Sequence, residues 1–207
     1  GRTSKRPLVI GVISTKAAIV FASATSLISL AIFWFFTNPL ATALTLLAIA
    51  FYVGVYTAVL KRRTPQNIVW GGIAGCMPVL IGWAAVRDSL SWSAFALFLV
   101  IFFWTPPHFW ALAIKYKDDY SKAKVPMLPV VAAEHIVTRQ MLAHSIAMIT
   151  SSLALGVLAA LPIWYFIVAA ALGIYFLTIV GKLKSGLEGE RSKVAERIFH
   201  GSITYLS

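Results

Sequence analysis

What this chain has little of narrows its chemistry before any motif is read. Only seven residues are acidic against 18 Lys and Arg, and charged residues make up 12% of the 207. Soluble domains average about 25% charged, so this chain is too poor in polar surface to cover a water-soluble core. Its one cysteine, Cys76, excludes an internal disulfide, and there is no C-x-x-C-H sequence for covalent heme attachment. Cys76 reads as a packing residue. A Gly-x-x-x-x-Gly-Lys phosphate loop is also lacking. With no soluble domain to carry a basic groove, the net charge of +11 does not mark a nucleic-acid binder.

What is present is hydrophobic, 59% of the chain. Charge-free runs cover residues 17–60, 64–86, 89–114 and 140–181. A bilayer span takes about 20 residues. The first and last runs therefore hold two spans each, divided at Thr37-Asn38-Pro39 and at Leu161-Pro162, where proline interrupts helical hydrogen bonding. The fold class is thus all-α, a polytopic integral membrane helix bundle of six complete spans, at roughly 15–36, 40–60, 66–86, 92–114, 141–160 and 163–181. Phe33, Trp34, Phe35 and Phe36 read as an aromatic belt at one interface. Gly71 and Gly75 form a small-xxx-small face for close helix packing.

Six alternating spans bring residues 1–16, 61–63, 115–139 and 182–197 to one side. These segments carry 17 of the 18 Lys and Arg, and the exception is Arg87. By the positive-inside rule this side is cytoplasmic. Topology and contact with anionic lipid would account for such an asymmetry without any further role. The segment 182–197 reads as a mixed-charge loop approaching a further membrane helix.

Two places carry chemistry. In the fourth span, Trp104-Thr105-Pro106-Pro107-His108-Phe109-Trp110, two prolines deprive the carbonyls of Phe102 and Phe103 of their helical donors, which a membrane interior tolerates where protein or water satisfies them. A break lining a cavity is expected there. His108 lies seven residues before Lys115, about 10 Å beneath the face, and is either a functional ionisable residue or a neutral histidine donating to a freed carbonyl. After the span comes Lys115-Tyr116-Lys117-Asp118-Asp119-Tyr120-Ser121-Lys122-Ala123-Lys124. Two aspartates among lysines at a membrane face suit a metal and a phosphorylated substrate, with Mg²⁺ the expected ion because it takes carboxylate oxygen and bridges to phosphates. A solvated loop is the plainer alternative. Adjacent aspartates project about 100° apart on a helix, so they are not expected to face one partner squarely. Lys61, Arg62 and Arg63 end the second span, and can share a phosphate site with the 115–124 segment or simply anchor the helix. The leader cations Arg2, Lys5 and Arg6 carry the same two options.

Three runs then combine: LKRRTPQNIVWGGIAG at 60–75, FFWTPPHFWALAIKYKDDY at 102–120 and VPMLPVV at 125–131. With the leader Arg2-Thr3-Ser4-Lys5-Arg6-Pro7-Leu8, they resemble the intramembrane prenyltransferases of the UbiA superfamily, and among these the heme-farnesylating branch. That resemblance implies one intramembrane prenyltransferase domain over 1–207, with 115–139 as its cytoplasmic active-site loop and about nine helices in the intact protein. It also implies a bacterial cell membrane location. The expected reaction moves a farnesyl group from farnesyl diphosphate to the 2-vinyl group of heme B, giving the hydroxyethylfarnesyl group of heme O. Heme B is then substrate, not cofactor, and Mg²⁺ is the cofactor, held by Asp119 and Asp118 as catalytic and metal-binding residues. Lys61, Arg62, Arg63, Lys117 and Arg6 become diphosphate clamps. Trp104, Phe109 and Trp110 flank an apolar cavity for farnesyl chain and porphyrin, and His108 orients heme. A downstream heme A synthase and a terminal oxidase are partners at family level. The family's first acidic motif would lie before Gly1, and position 123, four after Asp119, is Ala rather than Asp. The chain is therefore expected to be a piece of a longer protein and inactive by itself. Two alternatives stay open: another acceptor, such as a quinone precursor or chlorophyllide, and a membrane transporter, which should show paired interrupted helices.

Overall fold

A computed structural model describes residues 6–184 and 188–207; the leader cations Arg2 and Lys5 lie outside the described residues. The architecture is helical, and six helices are long and apolar enough to cross a membrane. These are α1 (Thr15–Phe36), α2 (Pro39–Leu60), α3 (Asn67–Arg87), α4 (Trp92–Lys115), α7 (Glu134–Leu158) and α8 (Ile163–Gly181). Between α4 and α7 lie two short helices, α5 (Lys117–Lys122) and α6 (Leu128–Val131), and the last helix is α9 (Glu188–Leu206).

Local chemistry sets the helix starts. Ser14, Asn38 and Ser91 each cap a helix with a side-chain oxygen that accepts from the backbone N–H three residues on, at 3.1, 2.8 and 3.1 Å. Pro39 follows its cap at the first helical position, where no N–H is missed. The second half of α2, Phe51–Leu60, is π-helical, and the Lys61 N–H reaches back five residues to the Tyr56 carbonyl at 2.8 Å.

Helix α4 is central, walled by α7, α3 and α9. At one end of the bundle Asn38 Nδ2 donates to the Ala84 carbonyl at 2.6 Å and Ser93 Oγ to the Leu158 carbonyl at 3.1 Å. At the other, Gln66 Nε2 donates to Gln140 Oε1 at 2.9 Å. These bonds align the two sets of helix ends, so the loops rich in Lys and Arg share one end.

Four expectations change. The diproline does not open α4: the helix runs through it, with Pro106 and Pro107 fully buried against neighbouring helices. The segment 115–139 is largely helical, because helical hydrogen bonding continues past the apolar stretch, and α7 starts at Glu134 rather than 141. The described residues within 182–197 are not a loop. They form a 3₁₀ turn at Lys182–Lys184 and, from Glu188, the first half of α9. Arg191, Ala195, Ile198 and Ser202 are buried at helical spacing along α9, which docks on α4 and α8. Finally, close packing falls on Gly71 and Gly72 rather than Gly71 and Gly75. A Cβ on Gly71 would lie 2.6 Å from the Tyr56 ring, and one on Gly72 would lie 3.4 Å from Thr105, whereas Gly75 faces open space.

Candidate functional site

The chain leaves the membrane end of α4 through Tyr116, and that exit builds a cavity of about 420 Å³ at the basic end of the bundle. Ile114 and Lys115 close α4, Lys117, Asp118 and Asp119 open α5, and Pro129 of α6, its C-cap Ala132, and Glu134 and Val137 at the start of α7 follow. Arg191 and Ser192 of α9 complete the lining. Both aspartates border the same space, although they are adjacent on a helix, because the cavity wraps over the short α5.

Charge pairing around this cavity is selective. Glu134 accepts from Arg191 Nη1, tying α7 to α9. Lys115 Nζ donates to Glu196 Oε1 at 2.9 Å, tying α4 to α9. That contact holds the Glu196 carboxyl below its usual range, first through the hydrogen bond and then through the lysine charge. Asp118 and Asp119 have no ion pair among the described residues, despite the surplus of cations. Three cationic side chains, Lys115, Lys117 and Arg191, and three carboxylates, Asp118, Asp119 and Glu134, line the cavity, so it is formally near neutral when empty.

Among the described residues no group of three His, Cys, Asp or Glu could hold a metal ion by protein ligands alone. The donor set fits a different site. Mg²⁺ is commonly held by one or two carboxylates and completed by water and substrate phosphate, and two carboxylates on one cavity, neither in an ion pair among the described residues, supply that half.

The remaining sequence-predicted residues are not gathered there. Lys61, Arg62 and Arg63 are exposed at the same end of the bundle but outside the cavity lining, and so is Arg6, whose carbonyl accepts from the N–H groups of Val9 and Ile10 in a turn. Trp104, Phe109 and Trp110 diverge around α4. Trp104 Nε1 donates to the Ser202 carbonyl at 2.7 Å, Phe109 is exposed, and Trp110 is buried edge-on to His144.

His108 is buried between the rings of Trp104 and Phe199, at centroid distances of 4.2 and 4.5 Å. Its Nδ1 lies 2.7 Å from Ser202 Oγ, which itself donates to the Phe199 carbonyl at 2.6 Å. A hydroxyl has a single proton. With that proton on the Phe199 carbonyl, the imidazole donates at Nδ1, and the neutral ring then leaves its lone pair on Nε2. Its partner is a side-chain hydroxyl of α9, not a carbonyl freed by the prolines.

Two charged cavity residues escaped the sequence reading, Arg191 and Glu134. The signal for Arg191 was a 3.6-residue stripe, Arg191-Ala195-Ile198-Ser202-Tyr205, with its first member charged. Glu134 gave no comparable signal.

The chain matches the model of the UbiA prenyltransferase family over residues 1–203. It is similar to proteins named protoheme IX farnesyltransferase, at 50% identity in Renibacterium salmoninarum and 50% in Kineococcus radiotolerans. All of this chain is covered in both, with 65% of each relative. The corresponding protein of Frankia casuarinae is 48% identical over all of this chain and 72% of its own length. The chain thus spans about two thirds of the length of these relatives. No solved structure matches it.

Proposed function

This chain belongs to the UbiA prenyltransferase family, and from that premise we propose that it forms part of an enzyme that transfers a farnesyl group from farnesyl diphosphate to the 2-vinyl group of heme B, giving heme O. The observation that carries the reading is the cavity where α4 ends: two carboxylates with no ion pair among the described residues, beside Lys117, opening at the end of an apolar bundle. Relatives covered along the whole of this chain bear the name of that activity.

The chemistry breaks the C1–O bond of the prenyl diphosphate and forms a carbon–carbon bond to the terminal vinyl carbon. Water then supplies a hydroxyl to the inner vinyl carbon and releases a proton. The demanding part is the leaving diphosphate, whose charge must be met while bulk water is kept from the allylic cation. Asp118 and Asp119 would hold Mg²⁺, which when bound neutralises charge on the diphosphate. Lys117 adds a fixed positive charge at the cavity wall, and Lys61, Arg62, Arg63 and Arg6 supply the surrounding basic field that draws the anion to this end. The farnesyl chain and porphyrin would extend along the apolar bundle, with the end holding the cavity facing the cytoplasm of a bacterial cell. His108 would serve heme through its Nε2 lone pair as an axial ligand; a propionate contact would need a proton there. The product would pass to an enzyme that oxidises heme O and then to a terminal oxidase.

The test is the mass of heme extracted from membranes that hold the full-length protein, after incubation with heme B, farnesyl diphosphate and Mg²⁺. The expected product is heavier by one farnesyl and one hydroxyl group. Asp119→Asn should lower the yield by at least about 100-fold, the scale of removing one preorganised electrostatic contributor, and His108→Ala should raise the heme requirement. Unmodified heme from folded protein would redirect the assignment to another acceptor, and normal heme affinity and turnover in His108→Ala would remove that residue from the mechanism.

A further inference from the structure

The ion pair between Arg191 and Glu134 is lopsided. The Arg191 side chain is 11% exposed, whereas that of Glu134 is 63% exposed. Burying a guanidinium is costly unless opposing charge repays it, and here the anchored member is the cation while the mobile member is the anion at the rim. Arg191 rises from the buried stripe of α9 that packs Ala195, Ile198 and Ser202 into the bundle, so its backbone has one place to be. What remains open of its side chain lines the cavity that Asp118 and Asp119 also line. Glu134 engages Nη1, one nitrogen of a group with five N–H donors in a planar fork. A Glu at the first turn of α7, mostly in water, can let go at little cost. A buried Arg cannot follow it out.

We propose that Arg191 is a diphosphate-positioning residue, its guanidinium gripping phosphate oxygens from the α9 side of the cavity, opposite the carboxylates of α5. Glu134 is the stand-in that neutralises Arg191 until the substrate displaces it. This rests on the prenyl-diphosphate reading above and adds to it a specific ligand and an exchange step. The fork matches the geometry of two phosphate oxygens, which the point charge of a lysine does not. The exchange also keeps the charge balance: in the empty cavity Arg191 is covered, and with the metal and diphosphate bound it is released to the incoming anion. No covalent step involves Arg191.

The two roles an Arg–Glu pair can play give opposite signs. A structural strut is broken equally from either side, so Arg191→Gln and Glu134→Gln should then act alike. A displaceable cover predicts that they diverge. The measurement is calorimetric titration of Mg²⁺ with inorganic pyrophosphate into the full-length protein in nanodiscs, with steady-state KM for farnesyl diphosphate and for heme B on the same variants. Expected is a loss of about 10- to 100-fold in pyrophosphate affinity for Arg191→Gln, the worth of one charge-assisted hydrogen-bonding group. Arg191→Lys should recover only part of it. Glu134→Gln, which frees the guanidinium, should bind pyrophosphate more tightly than the parent. The KM for farnesyl diphosphate should follow these affinities, and that for heme B should stay put. Equal weakening in both Gln variants, with a matching fall in melting temperature, would make the pair a strut and overturn the proposal. A rise confined to the KM for heme B would assign the guanidinium to a porphyrin carboxylate and overturn it as well. If the parent protein binds no Mg²⁺-pyrophosphate, the prenyl-diphosphate reading itself fails and takes this one with it.

Discussion

Gly71 illustrates what a single residue does here. The ring of Tyr56, at the π-helical end of α2, fills the space where any side chain on residue 71 would begin, 2.6 Å from the nearest ring carbon. Gly71→Ala should therefore destabilise the protein by about 1–3 kcal/mol, the usual cost of overpacking. A thermal melt in detergent would measure it, and Gly71→Ala combined with Tyr56→Leu should recover part of the loss; an unchanged melting temperature in the single variant would mean that the ring moves aside freely. In the sequence, Gly71 and Gly75 look equivalent, four residues apart on one face. The structure separates them because the partner is one bulky ring at one height, not a smooth helix surface, and that ring's position depends on the altered turn of α2. Arg191 was obscured differently: among neighbours such as Glu190, Lys193 and Arg197 it reads as one charge in a run, and only its spacing from Ala195, Ile198 and Ser202 marks it as inward.

At the scale of elements, apolar length located the spans well because lipid imposes it, and every span ends within a few residues of a charge or a proline. It failed where helices continue beyond the apolar stretch. Glu134, His135 and Arg139 look like loop, yet they extend α7 toward the cavity, since backbone hydrogen bonding is indifferent to whether side chains face lipid or water. The same blind spot hid α9, whose polar first half is helical and pinned at both sides. One pin is Lys115 with Glu196, an exposed pair. The Glu196 carboxyl is held below its ordinary value by Lys115, so the sign follows: this contribution is present above the unfolded carboxylate pKa and is lost as pH falls through the lower, folded value. Exposure keeps it small. The expected result is that backbone amides in the first half of α9 exchange hydrogen faster as pH falls below about 4, after correction for intrinsic rates. Glu196→Gln should show no such pH dependence; if α9 in that variant loosens over the same range as the parent, another group is responsible.

For the molecule as a whole, the collected positive charge and the up-and-down bundle agree on which helix ends lie together, and the proposed direction relative to the cell rests on charge alone. That orientation can be read chemically. Cys76 is fully buried, so it contributes little background to a thiol-labelling experiment. In intact cells a membrane-impermeant maleimide should label Ser89→Cys and spare Arg63→Cys, and inside-out vesicles should reverse the pattern. Labelling of Arg63→Cys from outside would place the cavity on the other face. The bundle was legible because membrane insertion leaves a strong imprint on composition. The cavity was legible in its aspartates, which stand out in an acid-poor chain, and illegible in its far wall, which arrives from a helix separated from them by two whole spans.

That separation also has a time. Ser202, the hydrogen-bond partner of His108, lies 94 residues further along the chain. At synthesis rates of about 5–20 residues per second, α4 waits roughly 5–20 s for α9 to emerge. Through that interval His108 and the indole N–H of Trp104 have no α9 to meet them. The polar groups on this face of the central helix must therefore be met by α3, by lipid headgroups or by the insertion machinery in the interval, and the bond to Ser202 closes only once α9 has emerged.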